Sequence, residues 1–362
     1  MSAKPPGLGV PFRLPLLILG FASLISGVLA GLTRLGWVVP LPSAQAVLLH
    51  GPLMICGFLG TVIGLERAVA LGYRWAYAGP LLTGLGGVAL LLGLPLSAGA
   101  SAMTLGSAML LAGTTLIMLR QRELFMITMV LGAASWLAGN LLWLAGTPVP
   151  EVVALWINFL VLTIAGERLE LSRFLPPSPR AKQIFAVILT MLVAGSMLLS
   201  ATGSGAALYG AALLGLALWL LRQDIVRRTV KEQGLTRFIA VCLLSGYAWL
   251  AIGSIMLLAG GLSGIAYDAV LHAILIGFVF SMVFGHAPII FPAVVKVRMP
   301  YHRTFYLPLL VLHISLLVRL AGDGLALPAL RNLGGLLNAV ALALFILSTV
   351  SSVIRGFRAT GK

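Results

Sequence analysis

Residues 48–68 read LLHGPLMICGFLGTVIGLERA, and this stretch decides the class of the fold. After His50, fifteen residues pass without a charged side chain, and then Glu66 and Arg67 follow together. An α-helix of about 20 apolar residues spans the hydrocarbon core of a bilayer. The stretch therefore predicts one complete membrane crossing that carries a single imidazole near its start.

The composition of the whole chain indicates the same environment. Of its 362 residues, 60% are hydrophobic and 9% are charged, whereas soluble domains carry about 25% charged residues. A soluble chain of this composition would lack polar surface to face water. We therefore predict an all-α integral membrane protein with about twelve transmembrane helices. Residues 1–362 are expected to form a single polytopic membrane domain without a separate soluble domain.

The charges of the loops set the predicted topology. Uncharged connections such as GTPVPE alternate with basic ones such as RQDIVRRTVKEQG. Because Lys and Arg stay on the cytoplasmic side, we predict that the N- and C-termini are cytoplasmic. The net charge of +15 then reflects topology, and no nucleic-acid partner is expected. The predicted spans are 14–36, 44–71, 74–95, 97–119, 123–146, 149–172, 181–201, 203–223, 234–261, 264–296, 303–322 and 326–355.

Two histidines lie at nearly the same expected depth in spans that run from outside to inside. His50 is about six residues into its span and His272 about eight, which places them roughly 9 and 12 Å below the outer surface. Neutral imidazole is a good ligand for haem iron, and two imidazoles can hold it from opposite faces. The alternative is that each histidine forms only a hydrogen bond with a backbone carbonyl or a neighbouring helix.

Three of the 24 Lys and Arg residues fall at the predicted outer surface instead of the inner one. They are Arg34, Arg319 and Arg331, near the ends of the first, eleventh and twelfth spans. A haem between the two histidines would direct its propionates to this surface, where cations stabilise carboxylates. These arginines are therefore candidate haem-binding residues, although three exceptions to a charge rule also arise without any function.

Ionisable residues also gather at the predicted cytoplasmic ends of three spans. Glu66 follows His50 by 16 residues and His286 follows His272 by 14, which places them about 24 and 21 Å deeper. Glu167 belongs to AGERLELSRF at the end of the sixth span. These residues form either a proton path or an inner polar cluster sealed by salt bridges. The simpler interpretation is adjacent Glu and Arg side chains that extend to the lipid headgroups.

Met54 and Asp268 each have two predicted roles. Met54 lies one helical turn after the first candidate ligand and is either a soft metal ligand for copper or a side chain that fills a helix interface. Asp268 precedes His272 by four residues and either orients its ring or caps the start of the helix. His302 and His313 receive no site role.

The stretch HGPLMICGF at residues 50–58 resembles the second helix of the NnrS family, membrane proteins of the nitric-oxide response, which opens with a pattern like H-x-H-E-M-x-x-G-F. Pro52 and Leu53 stand where that family has its second histidine and its glutamate. HAILIG at residues 272–277 is similar to a late-helix pattern, H-A-L-T-V-G. The resemblance implies haem b, a diatomic gas such as nitric oxide, a redox partner and the bacterial plasma (inner) membrane. It also implies copper, for which the second histidine is missing.

A more distant resemblance is to subunit I of haem–copper oxidases and nitric-oxide reductases. LHGPLMI and IGFVFSMVFG are similar to its segments, and it too has twelve spans, with helices 2, 6 and 10 in equivalent places. This implies a haem–copper-oxidase-subunit-I-like bundle. The chain lacks the His-His pair of that family, so a binuclear site that reduces dioxygen is not expected.

These features favour a haem b-binding membrane protein of NnrS type that binds or senses a gas or passes electrons. Whether it catalyses a reaction stays open. The alternative is a twelve-helix secondary transporter of unknown substrate, and a structural partner of a terminal oxidase or reductase is a third. Transporters show internal repeats and helices broken at the midplane, and we find no clear repeat between residues 1–180 and 181–362.

Overall fold

The computed structural model describes residues 7–41, 44–172 and 177–360. The structure is 86% helix, and no strand occurs in these ranges. Eleven helices of the described ranges are long and apolar enough to cross a membrane. The prediction of an all-α chain with the helices of a multi-pass membrane protein is therefore confirmed.

The third predicted span, residues 74–95, differs from the expectation. It consists of a 3-10 turn at Arg74–Tyr77 and the helix Ala78–Leu91. That helix has 14 residues and is about 21 Å long, whereas a hydrocarbon core is about 30 Å thick. Gly93, with a φ of +73°, and Pro95 follow Leu91 and end the helix there, so apolar composition alone overstated its length.

The chain forms two compact units, Met1–Glu167 and Arg168–Lys362, with the boundary inside a helix. The helices that begin in the first unit are α1 (Val10–Arg34), α2, α3 (Ala78–Leu91), α4 (Leu96–Arg120), α5 (Leu124–Leu144) and α6 (Val149–Leu171). The parts of α2, in order, are the 3-10 turn Ala44–Leu49, the α-helical turn His50–Pro52, the π-helix Leu53–Leu59 and the α-helix Gly60–Leu71.

Among its described residues, the second unit has six long helices, the one-turn helix Val226–Thr229 and the 3-10 turn Arg303–Phe305. The long helices are α7 (Pro179–Thr202), α8 (Ala206–Gln223), α9 (Gly234–Gly260), α10, α11 (Tyr306–Gly324) and α12 (Pro328–Thr360). The parts of α10 are the α-helix Gly264–His272, the π-helix Ala273–Phe280 and the α-helix Ser281–Val295.

Each unit therefore contains a helix with a π-helical segment within three residues after a histidine. In α2 the segment begins three residues after His50, and in α10 it begins one residue after His272. Pro52 precedes the first segment and has no backbone N–H, so the regular hydrogen-bond ladder lacks a donor there. π-Helical turns are rare and occur frequently at functional sites.

Aromatic side chains fill the cores of both units. In the first, Trp136 of α5 stacks on Phe159 of α6 with ring centroids 4.4 Å apart, and both rings are fully buried. In the second, Phe284 of α10 stacks on Phe345 of α12 at 3.9 Å. Stacked aromatic pairs bury a large area with few rotatable bonds, so they fix the neighbouring helices in register.

Glycines allow α3 and α4 to pack with their backbones close together. A Cβ atom on Gly86 would lie 2.8 Å from the carbonyl oxygen of Gly99, and one on Gly106 would lie 2.9 Å from that of Gly79. Small residues at helix interfaces are a main source of association in membranes, where lipid tails are as apolar as leucine side chains. This close contact anchors the short helix α3.

A substitution on α4 tests this interface. Gly106→Ala should destabilise the protein by about 1–3 kcal/mol, because the added methyl group overpacks the interface. Gly113→Ala on the same helix is the control, since its Cβ would meet Leu71 at an ordinary 3.4 Å. Thermal unfolding midpoints in detergent compare the two variants. Equal midpoints would show that the close approach of α3 and α4 is unimportant.

Candidate functional site

His50 lies against a glycine groove on α1. Its Nδ1 donates a hydrogen bond to the carbonyl oxygen of Gly27 at 2.7 Å. A Cβ atom on Gly31 would lie 2.9 Å from two atoms of the imidazole ring, so only glycine leaves room for the ring there. Gly27 and Gly31 form a G-x-x-x-G pattern, which brings helices close together in membranes. The groove therefore fixes the position of the ring and which nitrogen carries its proton.

Met54 is buried and occupies the next part of the same groove. A Cβ atom on Gly27 would lie 2.9 Å from its sulfur atom. Met54 thus fills a helix interface, which is one of its two predicted roles. Among the residues that the structure describes, no three His, Cys, Asp or Glu side chains form a group that could hold a metal ion.

His272 is held by its own helix in the second unit. Its Nδ1 donates to the backbone carbonyl of Asp268 at 2.8 Å and lies 3.4 Å from a carboxylate oxygen of the same residue. Asp268 lies inside α10, behind the N-cap Ser263, so the prediction that it caps the helix is wrong and the prediction that it orients the ring gains support. The proton of His272 is therefore placed on Nδ1, as it is in His50.

Two of the three predicted outer arginines meet the same carboxylate. Arg319 of α11 donates three hydrogen bonds of 2.9 to 3.1 Å to the carboxylate oxygens of Asp268. Arg331 of α12 lies 3.5 Å from Asp268 and 3.0 Å from Asp323. With His272 these residues form one charged network at neighbouring ends of α10, α11 and α12. Arg34, the third candidate, is the exposed last residue of α1.

The network depends on a close approach of α11 and α12. A Cβ atom on Gly334 would lie 2.6 Å from the Cα atom of Arg319, and one on Gly322 would lie 2.7 Å from that of Arg331. Two glycines that face the two arginines thus bring both guanidinium groups to the carboxylates. Arg319 and Asp323 are almost fully buried, and buried charges require such partners.

An ion pair of the first unit lies at the predicted inner side. Arg67 of α2 lies 2.5 Å from Glu167 of α6, and both side chains are about five-sixths buried. Glu66 is half-buried. In the second unit, Nδ1 of His286 donates to the carbonyl oxygen of Met282 at 2.8 Å. The Arg67–Glu167 pair matches a salt-bridged inner cluster, whereas a proton path stays a prediction.

A stronger buried pair, which the sequence patterns did not indicate, lies in the second unit. Arg168 binds both carboxylate oxygens of Asp224 at 2.7 and 2.9 Å. Tyr247 donates its hydroxyl proton to the same carboxylate, as does the backbone N–H of Val226 at 3.1 Å. The side chains of Arg168 and Asp224 are only 7% and 1% exposed. Asp224 sits between basic loop residues, so only its pairing could have distinguished it.

The remaining histidines differ from the candidate ligands. In His313, Nδ1 accepts a hydrogen bond from Trp249 at 3.0 Å, so in the neutral ring the proton lies on Nε2. His302 caps a 3-10 turn, where its Nδ1 accepts from the backbone N–H of Thr304. The donor pattern of His50, His272 and His286, with Nδ1–H bound to a carbonyl, is therefore absent from these two.

A family model described as a domain of unknown function, DUF8744, matches residues 13–354. The chain belongs to this family. The match runs from α1 into the last turns of α12, so the family is defined by the helices of both units and includes all the candidate residues. No curated protein matches the chain.

We expect Asp224→Asn to destabilise the protein by about 3 kcal/mol, because the change leaves the buried guanidinium of Arg168 without a counter-charge. The control is Glu232→Gln, which removes one negative charge from an exposed position in the same loop. Thermal unfolding in detergent provides the measurement. A loss no larger than that of the control would mean that the pair contributes nothing to stability.

Proposed function

We propose that this protein is a haem b-binding membrane protein of NnrS type, in the plasma membrane of a bacterium. His50 and His272 would hold the haem, in a twelve-helix arrangement like that of haem–copper oxidase subunit I. The cytoplasmic position of both termini belongs to the same proposal. Its role would be to bind a diatomic gas such as nitric oxide or to pass electrons to a redox partner.

The protonation of the two imidazoles is the main support. Metal-bound histidines almost always donate their second ring N–H to a carbonyl or carboxylate, which fixes the ring and raises the basicity of the ligating nitrogen. Both proposed ligands donate from Nδ1 to a backbone carbonyl, at 2.7 and 2.8 Å. In each neutral ring, Nε2 then carries the lone pair that an iron atom requires. This tautomer supports the proposal that both histidines act as iron ligands.

The local backbone supports the same two positions. His50 and His272 each precede a π-helical segment, and these are the two long π-helices in the ranges that the structure describes. A π-turn shifts the face that the following residues present, and such turns occur frequently at functional sites. Because the same backbone feature follows both histidines, it supports a common role for them.

The charged network around Asp268 changes the proposed role of two arginines. Arg319 and Arg331 each have a carboxylate partner, so their charges are already compensated in part. Arg331 is 40% exposed at its side chain and retains donors for a further carboxylate. We therefore assign Arg331 and Arg34 the larger share in binding propionates, and Arg319 the orientation of Asp268 beside His272.

The proposed ligands determine which activity fits. When bound, haem supplies one-electron chemistry or an iron site for a gas. Two histidine ligands leave no position open for a gas, so gas binding requires one of them to leave. His272 is hydrogen-bonded within its own helix. His50 is held by the neighbouring helix α1, at Gly27 and Gly31. Copper receives less support, because Met54 packs into a helix interface.

Visible spectra of the purified full-length protein test the proposal. The wild type, supplemented with haem during expression, should show a Soret band, and His50→Ala and His272→Ala should each reduce haem content at least fivefold. His302→Ala is the control, since that exposed histidine has Nδ1 as acceptor. Nitric oxide added to the reduced wild type should shift the band if a ligand leaves. Haem that persists unchanged in both alanine variants would refute the assigned ligands.

A further inference from the structure

A basic cleft lies beside the end of α8 in the second unit. Its volume is about 600 Å³, within the usual range of small-molecule sites. Its lining residues include Ser172, Arg222, Asp224, Arg227 and Arg228. The cleft therefore combines three guanidinium groups with one carboxylate.

That carboxylate does not neutralise the three arginines. The two oxygens of Asp224 accept four hydrogen bonds, from two nitrogens of Arg168, the hydroxyl of Tyr247 and the backbone N–H of Val226. Its negative charge is therefore balanced by the positive charge of Arg168. Within the described ranges, Arg222, Arg227 and Arg228 form no ion pair. The cleft consequently presents uncompensated positive charge.

The positive charge of the cleft suits an anion, and the position of the cleft indicates what kind of molecule carries that anion. Arg222 lies in the last turn of α8, a helix apolar enough to span a membrane. Leu218, four residues earlier and therefore on the same face, is 56% exposed. An exposed leucine one turn before Arg222 fits an acyl chain whose phosphate group meets the arginines of the cleft. Guanidinium forms paired hydrogen bonds to phosphate oxygens.

We propose that this cleft binds the phosphate headgroup of an anionic phospholipid. Basic pockets at the ends of membrane helices attract such headgroups, and each nearby cation strengthens the attraction. The buried pair of Arg168 and Asp224 holds the loop that carries Arg227 and Arg228 against the helix end. The site is independent of the proposed haem ligands.

Native mass spectrometry of the full chain in detergent tests the proposal, with phosphatidylglycerol and phosphatidylcholine as probes. The wild type should retain phosphatidylglycerol in preference to phosphatidylcholine. The double variant Arg227→Gln/Arg228→Gln should bind phosphatidylglycerol roughly tenfold more weakly. The control pair, Arg355→Gln/Arg358→Gln, removes the same charge from exposed positions near the end of α12 and should bind it as the wild type does.

Three results would overturn the assignment. Equal losses in the cleft and control variants would mean that general charge attraction, and not the cleft, binds the lipid. An equal affinity for the two lipids in the wild type would show that the headgroup charge is not recognised. Thermal stabilisation by inorganic phosphate that depends on the cleft arginines, without preference for phosphatidylglycerol, would assign the cleft to a soluble phosphate compound. If the double variant fails to fold, Arg222→Gln replaces it.

Discussion

In hydrocarbon, every buried polar group must find its partner inside the protein, and this constraint organises both units of the structure. Hydroxyl groups return to the carbonyl one turn before them, as Thr61 does to Gly57 at 2.6 Å and Ser254 to Leu250 at 2.6 Å. Histidines do the same through Nδ1. The buried charges of Asp224, Arg319 and Asp323 lie in ion pairs or networks. The requirement to satisfy these groups thus fixes tautomers, rotamers and helix contacts together.

Glycine residues let the helices approach closely enough for these polar groups to pair. His50 reaches the carbonyl of Gly27 because α1 presents a surface without side chains at that level. In the second unit, Gly322 and Gly334 bring the backbones of α11 and α12 close enough for Arg319 and Arg331 to share carboxylates. Where lipid supplies no hydrophobic drive between helices, such close packing and hydrogen bonding hold them together.

Much of the helical framework and part of the candidate site could be predicted from sequence patterns. Apolar runs located the long helices, and depth along them selected His50 and His272. The short helix α3 was overestimated, because hydropathy measures composition and not where a helix stops. The partners of Arg319 and Glu167 could not be foreseen, since residues 51 and 100 positions away in the chain supply them. Asp224 was overlooked because its sequence neighbours give no signal of burial.

The amino-acid composition and the loop charges are enough to indicate a membrane protein whose uncharged and basic connections alternate along the chain. With 60% hydrophobic residues and basic loops at alternate connections, the chain fits helices in a bilayer, because a helix satisfies its backbone groups within one segment. The three-dimensional packing of the helices sets which charges neutralise one another, which histidine nitrogens carry protons and where the helices depart from α-geometry. Those properties depend on contacts between residues distant in the chain, which a local pattern does not encode.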